Sequence, residues 1–183
     1  IGLIDSKKAT TWANHFHPIQ EQKCLVTKGQ FISVLKNLKE NNSIIETQLV
    51  KENQITVTKP NVAHTMVFTE DTQFLNLVRG EREHKNYGIS HTLPYQLVDE
   101  KFKNMLLSGY KFNCRVCNSS DFERVLSLGL MPLANNLSNK KNINCEKFPL
   151  ELNFCIKCNN SQLSYSVNPT KLFNNYLYTS STS

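Results

Sequence analysis

Four of the six cysteines form two pairs with the same short spacing, Cys114-Arg-Val-Cys117 and Cys155-Ile-Lys-Cys158. A Cys-x-x-Cys turn lets both thiolates reach one ion, and two such pairs complete a closed, tetrahedral Cys₄ site of the structural type. The 37 residues between the pairs exceed the spacing of about 15–20 that is usual in zinc ribbons. A redox function is the weaker alternative, since such a motif normally opens a helix in a βαβ unit. We therefore predict a zinc site.

A second group of residues is suited to proton transfer or to metal binding. His15 and His17 stand at positions i and i+2, which places both imidazoles on one face of a strand. His64 follows a turn and would approach them across a barrel, with Gln22 facing inward beside them. Imidazole titrates near neutral pH, which suits a base that acts on a C–H bond next to a carbonyl. The three histidines are candidate catalytic residues or, alternatively, ligands of a second divalent metal, and Gln22 is a candidate substrate-binding residue.

Short strands must position these histidines. Five segments rich in β-branched or aromatic residues are separated by turn clusters at a spacing of about 8–12 residues, which is typical of a β-sandwich or barrel. The predicted strands are Gln30–Lys36, Ile44–Val50, Gln54–Thr58, Thr65–Thr69 and Thr72–Arg79. The simplest alternative role for the histidines is that of partly exposed polar residues on such a strand. His91 is expected at the surface.

A helix is predicted over residues 99–108, because Phe102, Met105 and Leu106 share one face while Asp99 can cap the start and Gly109 can end it. The chain is thus expected to comprise a β-barrel over residues 1–98, a helical linker over 99–111 and a zinc-binding α+β region over 112–183.

Composition excludes several classes of function. The formal charge is +6, of which residues 99–183 carry +4 from ten basic and six acidic side chains; four zinc-bound thiolates would reduce that excess. No Lys/Arg run exceeds two residues, which argues against a nucleic-acid partner. No apolar run approaches the roughly 18 residues of a membrane span. Six cysteines could form three disulfides, but the sequence shows no secretory signal, so a cytoplasmic protein with cysteine metal ligands is favoured. Cys24 and Cys145, which belong to neither pair, are then expected to be buried thiols.

The histidine motif resembles a known family. The spacing is His15-Phe-His17-x4-Gln22-x6-Gly29, with Pro60-x3-His64 downstream. It resembles the two motifs of the cupins, and the resemblance implies a jelly-roll barrel in which the three histidines occupy metal-ligand positions. The family's glutamate falls on Gln22 or, with a slip of one residue, on Glu21. Cupin ketoisomerases that act on nucleotide-sugars are also similar here, and they use histidines as proton carriers without metal.

The second half resembles another family over nearly every motif. The motifs are Cys114-x2-Cys117, Leu128-Gly-Leu-Met-Pro-Leu-Ala-Asn-Asn136, Phe148-Pro-Leu150, Cys155-x2-Cys158, Gln162-Leu163, Leu172-Phe173 and Tyr176-Leu-Tyr178. They resemble the N-terminal zinc-binding region of sugar C-methyltransferases. The resemblance implies that Cys114, Cys117, Cys155 and Cys158 ligate zinc and that Tyr176 and Tyr178 reach towards a sugar. Asn159-Asn160 departs from the family, which often has glycine after the last cysteine.

Both resemblances imply a cytoplasmic protein that tailors a nucleotide-linked sugar, with a cupin that epimerises, isomerises or binds the sugar. S-adenosylmethionine would bind in a Rossmann domain downstream, because the six glycines here form no Gly-x-Gly turn. We therefore expect a fragment. The alternative is a non-catalytic cupin joined to a zinc-ribbon binding module, but Phe148, Phe154 and Tyr165 lie in apolar, core-like stretches. The oligomeric state stays open, and a homodimer through the cupin is one arrangement it allows.

Overall fold

The computed structural model describes residues 1–79, 91–134 and 145–173. The chain divides into two compact units, Ile1–Ser108 and Gly109–Ser183, which we call unit 1 and unit 2. Tyr176 and Tyr178 lie outside the described residues, so their predicted role stays a prediction. No helix within the described ranges is long and apolar enough to cross a membrane.

Unit 1 is built from short antiparallel strands. They are β1 Gly2–Ser6, β2 Thr11–Phe16, β3 Glu21–Lys28, β4 Gln30–Asn37, β5 Glu46–Lys51, β6 Ile55–Thr58, β7 Val62–Phe68, β8 Thr72–Arg79 and β9 Leu93–Pro94. One sheet has the order β1-β8-β3-β6 and the other the order β5-β4-β7-β2-β9. The first eight strands are therefore divided equally between two facing sheets as in a jelly roll, the architecture of cupins. The predicted fold is confirmed.

The interior of unit 1 is apolar at one end. Phe31, Phe68 and Phe74 are fully buried, with ring centroids 5.6–6.1 Å apart. Strand β3 shows why the pattern folds this way: Gln22, Cys24 and Val26 are buried while their neighbours are not, so the strand turns one face to the core.

Gly29 makes the tight connection between β3 and β4. Its φ is +81°, in the region that favours glycine, and a Cβ there would lie 2.6 Å from the carbonyl oxygen of Asp71. The need for glycine in this turn therefore has both a backbone and a steric reason.

The predicted helix is confirmed as α1, Glu100–Gly109. The carboxylate of Asp99 accepts a hydrogen bond from the backbone N–H of Phe102 at 2.7 Å, so Asp99 is the N-cap.

Unit 2 contains a three-stranded antiparallel sheet and a short helix. Its elements are β10 Phe122–Pro132, β11 Lys147–Cys155, β12 Ser161–Leu163 and α2 Pro169–Phe173. The strands lie in the order β10-β11-β12, and Phe122 pairs with Cys155 at the base of the β10–β11 hairpin. This hairpin accounts for the long interval between the two cysteine pairs.

Candidate functional sites

Four cysteines of unit 2 converge and form what we call the thiol cluster: Cys114, Cys117, Cys155 and Cys158. Their sulfur atoms all lie within 4.8 Å of one another. The Sγ atoms of Cys114 and Cys158 are 3.5 Å apart, and those of Cys117 and Cys155 are 3.6 Å apart. A tetrahedron with zinc–sulfur bonds of about 2.3 Å has edges of about 3.8 Å. The spacing of the sulfurs thus fits a zinc ion.

The two cysteine pairs stand on turns with the same hydrogen bonds, and we call these turns the knuckles. In each, the N–H of the first cysteine donates to the carbonyl five residues later at 2.8 Å, and the N–H four residues later donates back to that cysteine's carbonyl at 2.9 Å. The residue four positions on is Asn118 in one knuckle and Asn159 in the other, with φ of 58° and 60°. Asparagine tolerates this left-handed conformation better than other non-glycine residues, which explains Asn159 where glycine is common.

Backbone dipoles favour thiolate at one position of the cluster. The N–H groups of Cys117 and Val116 point at Cys114 and lower the pKa of its thiol to about 6, in spite of desolvation. The Asn160 N–H also favours the thiolate of Cys158, but desolvation and the neighbouring thiols outweigh it and raise the pKa of Cys158 to about 12. Four adjacent thiols cannot all ionise without a cation between them, which is the charge that a divalent metal supplies.

Three histidines of unit 1 converge and form the histidine cluster: His15, His17 and His64. The ring centroids of His15 lie 4.8 Å from His17 and 4.7 Å from His64, and those of His17 and His64 lie 5.3 Å apart. One ring nitrogen of each lies within 4.8 Å of the other two. The Nε2 atoms of all three are buried and have no hydrogen-bond partner among the described residues. Three lone pairs are therefore available to a ligand.

A β-bulge in β2 turns His15 into the barrel. Trp12 packs against the apolar core, so strict alternation would direct His15 outward. The pairing of β2 with β7 shifts between Ala13 and His15, and both Ala13 and Asn14 have positive φ. The extra residue restores the inward direction, and His15 pairs with His64.

The side chain of Asn14 holds the bulge in place. Its amide oxygen accepts hydrogen bonds from Thr65 and from the backbone N–H groups of Leu97 and Val98, and its amide nitrogen donates to the Val98 carbonyl. The segment after β9 is thereby fastened to the outer face of the sheet that carries His15 and His64.

His17 lies one residue beyond the end of β2, so the prediction of one strand face for both histidines is corrected. Its position comes instead from the loop before β7, where the N–H of Asn61 donates to the His17 carbonyl at 2.8 Å. Its ring Nδ1 lies 2.6 Å from the carbonyl oxygen of His91 and must donate the proton of that bond. In a ring with one proton, this bond leaves the lone pair on Nε2 of His17.

Burial keeps two of the imidazoles neutral. Desolvation, followed by the proximity of His17, lowers the pKa of His15 to about 4. Desolvation and the two neighbouring rings lower the pKa of His64 to about 3, against a weak opposing contact with the Val62 carbonyl. Both side chains therefore carry free lone pairs at neutral pH.

Gln22, rather than Glu21, lies on the inward face of β3. Gln22 is 2% exposed, its amide nitrogen donates to Asn76 at 2.8 Å, and its amide oxygen is buried without a partner among the described residues. Glu21 instead pairs with Lys23 on the outward face at 3.4 Å. The interior therefore offers a neutral amide oxygen where a carboxylate would stand.

His91 is the residue that sequence reasoning missed. It was expected at the surface, but it is 5% exposed, and neither ring nitrogen has a partner in the part of the chain that the structure describes. The nearest histidine in the sequence is His84, seven positions earlier, and this spacing carries no signal that would have linked His91 to His17.

A cavity of about 400 Å³ is lined by residues of β4 to β7 and of the loops between them, and its lining residues do not include the three histidines. Leu35 is the register partner of His64, and Val62 precedes His64 by two residues on β7. The other walls include Glu40, Glu46 and Lys59. This volume lies within the range of small-molecule sites.

Residues 114–173 match the family model Methyltransf_13, described as "Putative zinc binding domain". The match begins at the first cysteine of the thiol cluster and includes all four. The sequence resemblance of this region is thereby confirmed. No curated protein matches the chain.

Several solved structures are similar to part of the chain. The capsular polysaccharide assembling protein CapF from Staphylococcus aureus is 17% identical with a TM-score of 0.43, covering 52% of this chain and 27% of its own. The dTDP-4-dehydrorhamnose 3,5-epimerase from Sulfolobus tokodaii is 19% identical with a TM-score of 0.42, covering 50% and 54%. The 3,4-ketoisomerase QdtA from Thermoanaerobacterium thermosaccharolyticum, in complex with TDP, is 20% identical with a TM-score of 0.40, covering 50% and 62%. The chain spans less than two thirds of each.

Proposed function

We propose that this chain belongs to a cytoplasmic protein that tailors nucleotide-linked sugars. Unit 1 would bind a keto sugar and act on the carbon next to its carbonyl, and unit 2 would be the zinc-stabilised front region of a sugar C-methyltransferase. The observation that carries the proposal is the convergence of three buried imidazoles inside a jelly roll, in one chain with a region that matches the methyltransferase family model.

Proton transfer is the first of two candidate reactions for the histidine cluster. A base removes the proton from the carbon beside the keto group, the electron pair moves onto the carbonyl oxygen, and a proton returns from another direction or to another carbon. His17 is the proposed base, because its Nδ1–H is held by the His91 carbonyl while Nε2 is free. The same carbonyl would stabilise the imidazolium that forms. Gln22 and its unpartnered amide oxygen are proposed to contact the sugar.

A divalent metal is the second candidate, favoured by the mutual proximity of three ring nitrogens. His15, His17 and His64 would be its ligands, and the hydrogen bond from His17 to the His91 carbonyl is the kind of contact that orients a metal-bound histidine. Such an ion would polarise the sugar carbonyl as a Lewis acid. With three neutral donors and an amide in place of a carboxylate, the site would hold metal less tightly than the thiol cluster.

The neighbouring cavity supports a sugar-sized ligand. Apolar side chains such as Leu35 and Val62 would contact one face of a sugar ring, while Glu40 and Glu46 could accept hydrogen bonds from its hydroxyls.

Solvent deuterium exchange tests this function. A nucleotide-linked 4-keto-6-deoxysugar incubated with the protein in D₂O should gain deuterium beside the carbonyl, detected by mass spectrometry. His17→Gln should abolish exchange but keep sugar binding by calorimetry, whereas His84→Gln serves as a control histidine variant. Exchange abolished by dialysis against a chelator and restored by a divalent ion would favour the metal. Binding without exchange would reduce unit 1 to a binding module.

A homodimer through unit 1 is also proposed, from the outer face of the β1-β8-β3-β6 sheet. Leu3, Leu75, Leu25 and Ile55 are successive register partners across all four strands and form one apolar row, in which Leu3 is 58% and Ile55 50% exposed. A two-fold axis between β3 and β8 would set Leu3 against Ile55 of the second copy.

Sedimentation velocity over a range of concentrations tests this pairing. Ile55→Lys should shift the wild-type dimer to monomer, whereas Leu126→Lys, on an exposed strand position of unit 2, should not. A monomer at all concentrations would overturn the dimer and leave the sugar chemistry untouched.

A further inference from the structure

Gln162 is a buried polar side chain of unit 2 that is not one of the four cysteine ligands of the thiol cluster. It lies on β12, directly after the second knuckle, and is 6% exposed. Its amide oxygen accepts a hydrogen bond from the backbone N–H of Arg115 at 2.9 Å, and its amide nitrogen donates to the carbonyl of Asn113 at 3.1 Å. One side chain thus binds the backbone on both sides of Cys114.

The same amide also contacts the other knuckle. The side-chain nitrogen of Asn160 lies 3.4 Å from the amide oxygen of Gln162 and 3.7 Å from the Sγ of Cys114. Asn160 is the residue whose carbonyl closes the second knuckle by accepting from the N–H of Cys155. Gln162 is therefore hydrogen-bonded to both turns that carry the thiol cluster.

This arrangement fixes the relative position of the two knuckles by means that do not involve the metal. Within a knuckle, backbone hydrogen bonds already set the distance between its two cysteines. Between the knuckles, the contacts of Gln162 and Asn160 hold Cys114 opposite Cys158 at a separation of 3.5 Å. The three polar contacts of this buried amide also stabilise the geometry, because the loss of any one of them would leave a buried polar group without a hydrogen-bond partner.

We propose that Gln162 is a positioning residue of the thiol cluster, which sets the separation of the two knuckles and thereby the affinity and geometry of zinc binding. The proposal rests on the zinc site of the proposed function. Outer-shell contacts of this kind typically change metal affinity by about 10–100-fold.

The test is zinc affinity and cobalt spectroscopy of the full chain. Gln162→Leu keeps the side-chain volume but removes all three polar contacts. Zinc affinity, measured by competition with a chromophoric chelator, should fall about 10–100-fold. In the cobalt(II)-substituted protein, the visible bands of tetrahedral thiolate coordination should shift or weaken. Gln162→Glu keeps the acceptor for Arg115 but loses the donor for Asn113, so its affinity should lie between those of wild type and Gln162→Leu.

Ser164→Ala is the matched control. Ser164 is fully buried nearby and donates to Glu151, away from the knuckles. It should lower the stability of unit 2 without changing the cobalt spectrum. If wild type binds zinc and Gln162→Leu loses no more affinity than Ser164→Ala, Gln162 is only a packing residue and the inference fails. If Gln162→Leu does not fold, wild-type affinity and spectrum in Gln162→Glu would overturn it. A wild-type chain without zinc would instead overturn the metal site itself.

Discussion

In the thiol cluster, the donor residues come in pairs three positions apart, on two turns with the same hydrogen bonds. In the histidine cluster, the donors come from the end of one strand, the residue after it and a strand that begins some 45 residues later in the chain. The first geometry is set by local backbone structure, and the second exists only once two sheets and a bulge have formed. The members of both clusters could be named from their spacing, but only for the locally encoded thiol cluster does the spacing also explain the geometry.

The two clusters also differ in charge and in completeness. Four thiols that can become thiolates fill a tetrahedron and leave no place for a substrate, which is the pattern of a structural site. Three imidazoles leave room for a further group, and the nearby Gln22 adds no charge. On the proposed function, unit 2 would use its cluster for stability and unit 1 would use its cluster for chemistry.

The strongest test of this contrast is removal of metal. Chelation of zinc should unfold unit 2, because structural zinc contributes about 10–16 kcal/mol in small zinc-finger peptides. Unit 1 should stay folded. The fluorescence of Trp12 would report this, because Trp12 is the sole tryptophan of the chain and packs against Phe74 in the core of unit 1. Hydrogen exchange of β10 to β12 would measure the effect in unit 2. Cys145→Ser should leave the zinc content unchanged, and a unit 2 that keeps its protection without metal would contradict the structural assignment.

A second prediction compares the metal affinities of the clusters. After zinc has filled the thiol cluster, a further divalent ion should bind more weakly at the histidine cluster. His64→Ala should weaken that second binding by more than about 100-fold, since a ligand counts for more than an outer-shell contact. The zinc of unit 2 should remain. Elemental analysis and titration calorimetry would measure both ions, and loss of the first ion in His64→Ala would show that the two sites are not separate.

A third prediction concerns acid. The pKa of His15 is about 4 and that of His64 about 3 in the folded state, against about 6.5 when unfolded. Between these values the unfolded chain binds more protons, so the free energy of unfolding of unit 1 is highest above pH 6.5 and falls as the pH drops towards 3. His64 should account for about 4–5 kcal/mol of this loss. Urea unfolding followed by Trp12 fluorescence measures it.

The matched variant for that experiment is His64→Gln, which removes the titrating group. Its stability should depend less on pH over the same range. If the free energy of unfolding depends equally on pH in wild type and variant, His64 is not buried in its neutral form.

The smallest effect tests the likeness of the two knuckles. Asn118→Val and Asn159→Val place a β-branched residue at a φ near 60° and should each destabilise unit 2 by about 1–2 kcal/mol. Asn159→Gly should be tolerated. Thermal unfolding of the zinc-loaded protein measures these changes. Unequal costs of the two valine variants would mean that the knuckles are not equivalent in energy.

The fold and the thiol cluster could be predicted because their signals are local. Strand periodicity between Gln30 and Arg79, the cap at Asp99 and the two cysteine pairs each depend on neighbours within a few residues. The inward direction of Gln22 followed from simple alternation with Lys23.

The rest depended on contacts distant in the chain. The bulge at Ala13 and Asn14 is stabilised by partners more than 50 residues away, among them Thr65 and Leu97. No local sequence pattern therefore predicts the bulge. His17 is placed by the loop before β7 rather than by its own strand. The burial of His91 likewise follows from a contact with a residue 74 positions earlier.

The bulge has an evolutionary consequence. Because side chains alternate along a strand, loss of a single codon at position 13 or 14 would rotate His15 to the outside while leaving every histidine in the sequence. A jelly roll of this kind could therefore lose or regain its reaction centre by a one-residue deletion or insertion, with no substitution of a functional residue. Sequence comparisons that count only the histidines would not detect the change; the length of the segment between Trp12 and His15 would.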